Sequence, residues 1–198
     1  MKLIMATDNK NKIREFREIL AGFDVELVGK TESGMTAEIE ETGTSFEENA
    51  FLKADTVMRA TGCAAVADDS GLCVDALDGA TGIYSARFTG THEATDAERR
   101  AFLLQKLEGV ENRSAYFVSA ICCVFPNGET IRTRGELHGS ILTEERGTGG
   151  FGYDALFLPD GEDRSNAELS PEEKNAISHR GKAMREFRKE WEKRYADR

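Results

Sequence analysis

Proline is scarce in this chain, at three positions only (Pro126, Pro159 and Pro171), and tryptophan occurs once. Long apolar runs are missing as well. The longest, such as the one ending at Phe125, are strand-length and fall short of the ~20 residues a helix needs to cross a bilayer. Basic residues are in deficit: 26 Lys and Arg against 36 Asp and Glu leave a net charge of −10. A duplex-DNA binder needs a basic face to displace counterions, so this balance argues against one. Cysteine is limited to Cys63, Cys73, Cys122 and Cys123, with no CxxC and no Cys/His ligand spacing, which argues against zinc. The thiols sit in strand-like apolar text and are expected to be reduced and buried. The stretch MKLIMATDNKNK has too short an apolar segment for a signal peptide and no small-residue cleavage site, so a cytoplasmic location is expected.

The composition that remains, 39% apolar and 31% charged residues, is too apolar for a disordered chain and too charged for a membrane one. The 198 residues suit one domain, or at most two small ones; a single domain over 1–198 is expected, which can bury roughly 70% of its unfolded surface. No repeat, low-complexity tract or linker interrupts it, and 19 glycines promise several glycine-shaped loops.

Periodicity and caps divide the chain. Strands are expected at Lys2 to Ala6, Val25 to Val28, Cys63 to Ala67, Ala115 to Phe125, Thr130 to His138 and Tyr153 to Leu158. A helix is expected over Lys12 to Ala21, with Ile13, Phe16 and Ile19/Leu20 on one face. A second starts at Thr44-Ser45, each three residues before a glutamate, and runs to about Ala60. A third is capped by Thr95 with Glu98. A fourth starts at Ser170 with Pro171 in its first position, breaks near Ser178 to Gly181, and continues to about Tyr195. Pro126-Asn127-Gly128 marks a hairpin. The alternation predicts an α/β fold with a mixed sheet.

Five segments can carry chemistry. The strand–loop–helix at Thr7, Asn9 and Lys12 offers helix N–H groups, a hydroxyl, an amide and an ammonium to an anion such as phosphate, without Walker spacing. In IEETGTSFEENAFLKA, Asn49 and Lys53 are four apart and share a helix face, and Glu40 lies in the preceding loop. Asp68 and Asp69 are expected to end an apolar strand, where ligands gather in α/β sheets. Adjacent acids there need a cation or donors to compensate their burial, a hard cation prefers carboxylate oxygens, and a carboxylate can take a proton from an attacking water. GTGGFGYD satisfies GxGxxG at Gly147, Gly149 and Gly152, but a strand is expected after it, not the helix of a dinucleotide site. Its glycines would let backbone approach a ligand while Phe151 and Tyr153 offer aromatic faces. Finally, His179 and Arg180 lie at the helix break, with Lys174 on the helix before it. Taken singly, the glycine-rich segment reads equally well as an ordinary bulge, and ordinary structure is the better reading of three others: a strand–helix turn, a surface helix with ion pairs, a packing histidine. The carboxylate pair alone favours function.

Together they resemble one family, the non-canonical purine nucleoside triphosphate pyrophosphatases, also described as inosine/xanthosine triphosphatases or Ham1-like proteins. The matching text is TxNxxK at Thr7-Asn9-Lys12, EETG, SFEENAFLKA, ADDSGL, GIYSAR, GTGGFGYD and EEKNAISHR, in the family's order from Thr7 to Arg180. The resemblance implies an elongated, two-lobed α/β fold around a mixed, twisted sheet. It implies a magnesium-dependent enzyme, usually a homodimer, that hydrolyses ITP, dITP and XTP to the monophosphate plus pyrophosphate, with no nucleic-acid or membrane partner. By motif position, Asp69 would be the general base and a metal ligand, and Glu40 a second ligand for Mg2+. Thr7, Asn9, Lys12 and Lys53 would hold the triphosphate, with Ser70 nearby. Phe151 would stack on the purine. Gly152, Tyr153, Asp154, Lys174, His179 and Arg180 would line the nucleoside pocket. Thr81 and Ala155 stand where the family usually has proline, an exchange expected to loosen both loops. Asp8 adds a carboxylate beside the phosphate segment and is expected to face solvent. The rival readings are a pyrophosphatase for pyrimidine or modified-base nucleotides, a nucleotide-binding module without catalysis, and an RNA-binding protein.

Overall fold

A computed structural model describes residues 1–90 and 94–196. In chain order its elements are β1 (Lys2–Met5), α1 (Lys10–Ile19), β2 (Glu26–Gly29), α2 (Phe46–Thr61), β3 (Ala64–Val74), α3 (Asp96–Lys106), β4 (Ser114–Val124), β5 (Thr130–Ile141), β6 (Phe157–Pro159), α4 (Pro171–Ile177) and α5 (His179–Ala196). Short 3₁₀ turns lie at Asp75–Leu77, Gly82–Arg87 and Asp154–Leu156. The strands form one mixed sheet in the order β2-β1-β3-β4-β5-β6. β1 pairs in parallel with β2 and with β3, and β6 runs antiparallel to β5. β4 and β5 are joined at Pro126-Asn127-Gly128, where the Phe125 amide donates to the Glu129 carbonyl at 3.0 Å and closes the expected hairpin. Fold class is therefore as the alternation of elements predicts.

Two compact units divide the chain, and β3, β4, β5 and α5 each contribute residues to both. The first comprises residues 1–69, 119–135 and 182–198, the second residues 70–118 and 136–181. The core of the first joins Leu3 and Met5 of β1, Phe16 of α1, Ile121 and Cys123 of β4, and Phe187 and Trp191 of α5. The core of the second joins Leu72 and Val74 of β3, Leu103 and Leu107, Phe117 of β4, Ile141 of β5, and Tyr153, Leu156 and Phe157. α2 buries Phe46, Ala50, Ala54 and Val57 on one helical face, as its period prescribes.

The caps fall where the sequence places them. Ser45 Oγ accepts from the Glu48 amide at the start of α2, and Thr95/Glu98 and Ser170/Glu173 form complete capping boxes on α3 and α4. All four thiols are free, with Cys63 half-buried and the others buried. Burial pushes the Cys122 thiol up to about 11, which keeps it unreactive.

Two elements differ from expectation. β3 does not end at the carboxylates: it runs on through Asp68, Asp69 and Ser70 to Val74, because Leu72 and Val74 are fully buried and extend its apolar face. The segment from Tyr153 opens as the 3₁₀ turn Asp154–Leu156, and strand pairing begins only at Phe157.

Candidate active site

The first unit gathers the cationic and acidic residues. Successive residues of a strand face opposite ways, and the two aspartates of β3 use this. Asp68, 4% exposed, accepts from Lys12 Nζ at 2.8 Å. Asp69, 9% exposed, accepts from Lys53 Nζ at 3.0 Å and from Asn49 Nδ2 at 3.2 Å. Asn49 and Lys53 reach it together because α2 places residues four apart on one face. The Asn49 Oδ1 in turn accepts from the Gly43 amide at 2.9 Å, which ties the loop before α2 to the same point.

The electrostatics of this cluster are opposed. Burial raises the Asp69 pKa above the ordinary aspartate value, more than Lys53 lowers it. Burial also works against the Lys53 charge, but Asp69, Asp68 and Glu41 outweigh it and hold that ammonium above its usual range. A buried acid that resists ionisation next to a firmly charged lysine is a pattern of functional sites.

The N-terminal loop is ordered from its own side chains. Thr7 Oγ1 accepts from the Asn9 amide at 3.2 Å, and Asn9 Oδ1 accepts from the Lys12 amide at 3.3 Å, which caps α1. Asp8 does not simply face solvent. It accepts from the Thr31 amide and hydroxyl, both at 2.8 Å, and the Thr31 amide bond leads in holding its pKa low.

The second unit gathers the residues expected around a base. Phe151 is 61% exposed, an unusual state for a phenylalanine. Lys174 Nζ lies 4.9 Å and the Arg180 guanidinium 5.9 Å from its ring centroid. Asp154, 4% exposed, ties these residues together: it accepts from Lys174 Nζ at 2.5 Å and the Phe151 amide at 2.8 Å on one oxygen, and from Asn166 Nδ2 at 3.3 Å on the other. The close return of Asp154 explains Gly150. A Cβ there would stand 2.3 Å from Asp154 Oδ2, and its φ of +72° is left-handed. His179 stacks on Phe117 at 4.9 Å, and the Ser178 hydroxyl accepts from the Gly181 amide at the start of α5.

Several placements depart from the sequence reading. Tyr153 offers no face to a ligand: it is 5% exposed, belongs to the apolar core, and its hydroxyl donates to the Ser85 carbonyl at 2.9 Å. Burial pushes that phenol up to about 12. Glu40 is exposed, whereas the adjacent Glu41 accepts from Lys53 Nζ at 2.9 Å. Thr81 does not loosen its loop. Its buried hydroxyl donates to the Leu72 carbonyl at 2.6 Å and meets the Ser85 hydroxyl at 2.6 Å. Ser70 follows Asp69 in β3 and is half-buried. Sequence reasoning missed Glu41, Asn166, and the bonds that α3 makes to Gly152. A signal existed only for Glu41, in the doublet Glu40-Glu41.

Among the described residues no three His, Cys, Asp or Glu side chains are grouped to hold a metal by themselves. Magnesium does not require that: it commonly takes one or two carboxylates and completes its shell with water and substrate phosphates. Asp69 and Glu41, hard oxygen donors on a shared ammonium, fit such a partial shell.

A profile of the Ham1 family matches residues 3–190. A dITP/XTP pyrophosphatase of Deinococcus deserti is 50% identical over 183 residues, covering 92% of this chain and 86% of the relative. One from an Exiguobacterium species is 47% identical, covering 96% of each. Among solved structures, a Ham1 protein of Staphylococcus aureus superposes with a TM-score of 0.93 at 38% identity, covering 98% of this chain and all of the other. A HAM1 protein of Coxiella burnetii gives 0.92 at 39% identity, covering 98% and 99%.

Proposed function

Because the chain belongs to the Ham1 family, we propose that it hydrolyses non-canonical purine nucleoside triphosphates (ITP, dITP and XTP) to the monophosphate plus pyrophosphate and so cleanses the nucleotide pool. The observation that carries the reading is Asp69: a buried carboxylate, of raised pKa, held between Lys53 and Asn49. In its ionised form Asp69 takes a proton from the attacking water, the task of a general base. Lys12 and Lys53 neutralise triphosphate oxygens, and the Thr7–Asn9 loop with the start of α1 adds donors. Ser70, next in β3 and on the opposite face from the base, is a further substrate contact that the motif implies.

Mg2+ is part of this proposal, with Glu40 and Asp69 as the ligands the motif implies and Glu41 as a further oxygen donor. When bound, it supplies charge neutralisation on the phosphates. Phe151 gives the purine a stacking face. Lys174 and Arg180 carry only donors. Aimed at position 6 of a purine, they suit the 6-oxo group of hypoxanthine or xanthine. Adenine presents an amino group there and would leave buried donors unpaired, a mismatch able to reject a substrate by factors near 10⁴. Asp154 sets the Lys174 ammonium, and Gly152, Tyr153 and His179 shape the surrounding backbone. A cytoplasmic homodimer, without nucleic-acid or membrane partners, completes the proposal.

The test is product analysis with ITP, dITP, XTP, GTP and ATP, with and without magnesium. The expected result is monophosphate and pyrophosphate from the first three, little from the last two, and none without the metal. Orthophosphate release, equal use of all five, or preference for UTP or dTTP would overturn the assignment.

A further inference from the structure

Phe151 raises a question of position. Its ring is exposed, so no core packing holds it, and its loop contains Gly147, Gly149, Gly150 and Gly152. Such a loop has high conformational entropy unless its backbone is fastened. Asp154 holds the Phe151 amide and the Ala167 carbonyl holds the Gly149 amide, and α3 fastens Gly152. Asp96 and Arg100 are four apart and share one helix face. Asp96 Oδ2 accepts from the Gly152 amide at 2.7 Å, and Arg100 Nη1 donates to the Gly152 carbonyl at 2.9 Å. Both polar groups of one residue are therefore held by one helix.

The two clamping side chains are themselves braced. Arg99 Nη2 donates to the other Asp96 oxygen at 2.6 Å, and Glu145 Oε1 lies 3.0 Å from Arg100 Nε. Bonds between charged groups and backbone amides or carbonyls are short and roughly twice as strong as neutral ones. Burial raises the Asp96 pKa, but Arg99 and the Gly152 amide outweigh it and hold the carboxyl ionised. The capping box of α3 fixes Asp96 in the first helical turn.

We propose that Asp96 and Arg100 are positioning residues that hold Gly152, and through it the Phe151 ring, in place for the purine base. This rests on the reading of Phe151 as a stacking face. The clamp acts through the Gly152 backbone, so its effect falls on binding of the base and not on the chemical step.

The experiment is steady-state hydrolysis of ITP by Asp96→Ala, Arg100→Met, Arg100→Lys and Phe151→Ala, with thermal unfolding and amide hydrogen exchange at Gly152. Asp96→Ala and Arg100→Met are expected to raise KM for ITP about tenfold with kcat within about twofold of the parent. Their unfolding midpoints should match the parent, the Gly152 amide should exchange faster, and Arg100→Lys should recover part of the loss. Parent-like KM in both variants, while Phe151→Ala raises it, overturns the clamp and leaves the stacking face standing. Parent-like KM in Phe151→Ala as well removes the stacking face and the clamp with it. A fall in kcat together with the unfolding midpoint marks a general structural role and also overturns the proposal. If Asp96→Ala does not fold, Arg100→Met, outside the first turn of α3, decides.

Discussion

At Asp69 burial opposes charge more strongly than Lys53 supports it, so the carboxyl keeps its proton to higher pH than a free aspartate does. The sign of the consequence for stability follows. A folded-state pKa above the unfolded one means that stability falls as pH rises through the interval between them. Asp69→Asn removes that cost while keeping the side-chain shape. It is expected to melt no lower than the parent at pH 7 and to lose at least 10²-fold in turnover, the smaller end of what a general base supplies. Calorimetry and product analysis on the same preparation check both halves, and near-parent turnover would remove Asp69 from the base role. Asp8 teaches the converse lesson. A carboxylate beside a phosphate segment looks repulsive in the sequence, yet the Thr31 amide and hydroxyl take up both of its oxygens. The cost anticipated at Thr81 is likewise absent, because its hydroxyl bonds the Leu72 carbonyl.

Helix α4 shows what an element owes to its ends. It has seven residues, too few to persist on propensity alone. Ser170 and Glu173 box its N-terminus, and Arg164 donates to both Glu173 oxygens at 3.2 and 2.9 Å. The Arg164 bonds lead in lowering the Glu173 pKa from 4.5 to about 2. This contribution is complete above the unfolded value of 4.5 and is lost as pH falls toward 2. Glu173→Gln should therefore melt below the parent at pH 6, and the gap should narrow at pH 3. An equal gap at both values would mean that the ionised form does not matter. Such caps are legible in the sequence because they join residues three apart. The length of β3 is not, since Asp68 and Asp69 look like an end until Lys12 and Lys53 arrive to pair them mid-strand.

Over the whole molecule, the first unit draws on three stretches far apart in sequence, and α5 brings the last of them home. Trp191 is fully buried, with ring centroids 5.7 Å from Phe187 and 5.9 Å from Phe125. Trp191→Ala should cost about 3–5 kcal/mol, the usual range for deleting a buried aromatic. Because the chain passes between units in mid-strand at β3, β4 and β5, urea unfolding should show a single transition, shifted to lower urea in the variant. A variant within 1 kcal/mol of the parent would show that this part of the core collapses around the gap.

The α/β alternation, the helix caps and the β4–β5 hairpin can be read from the sequence alone. These depend on periods of two and 3.6 residues, on turns, and on partners three or four positions away. Which charges meet depends on the three-dimensional packing. Lys12 and Asp68 are 56 residues apart, and Gly152 is 52 and 56 residues from Arg100 and Asp96. That packing also decided that Tyr153 turns into the core while Phe151 stays exposed, and that Glu41 reaches Lys53. Pairings of this kind depend on strand register and on which helix faces pack together, and a one-residue slip in either would exchange the partners.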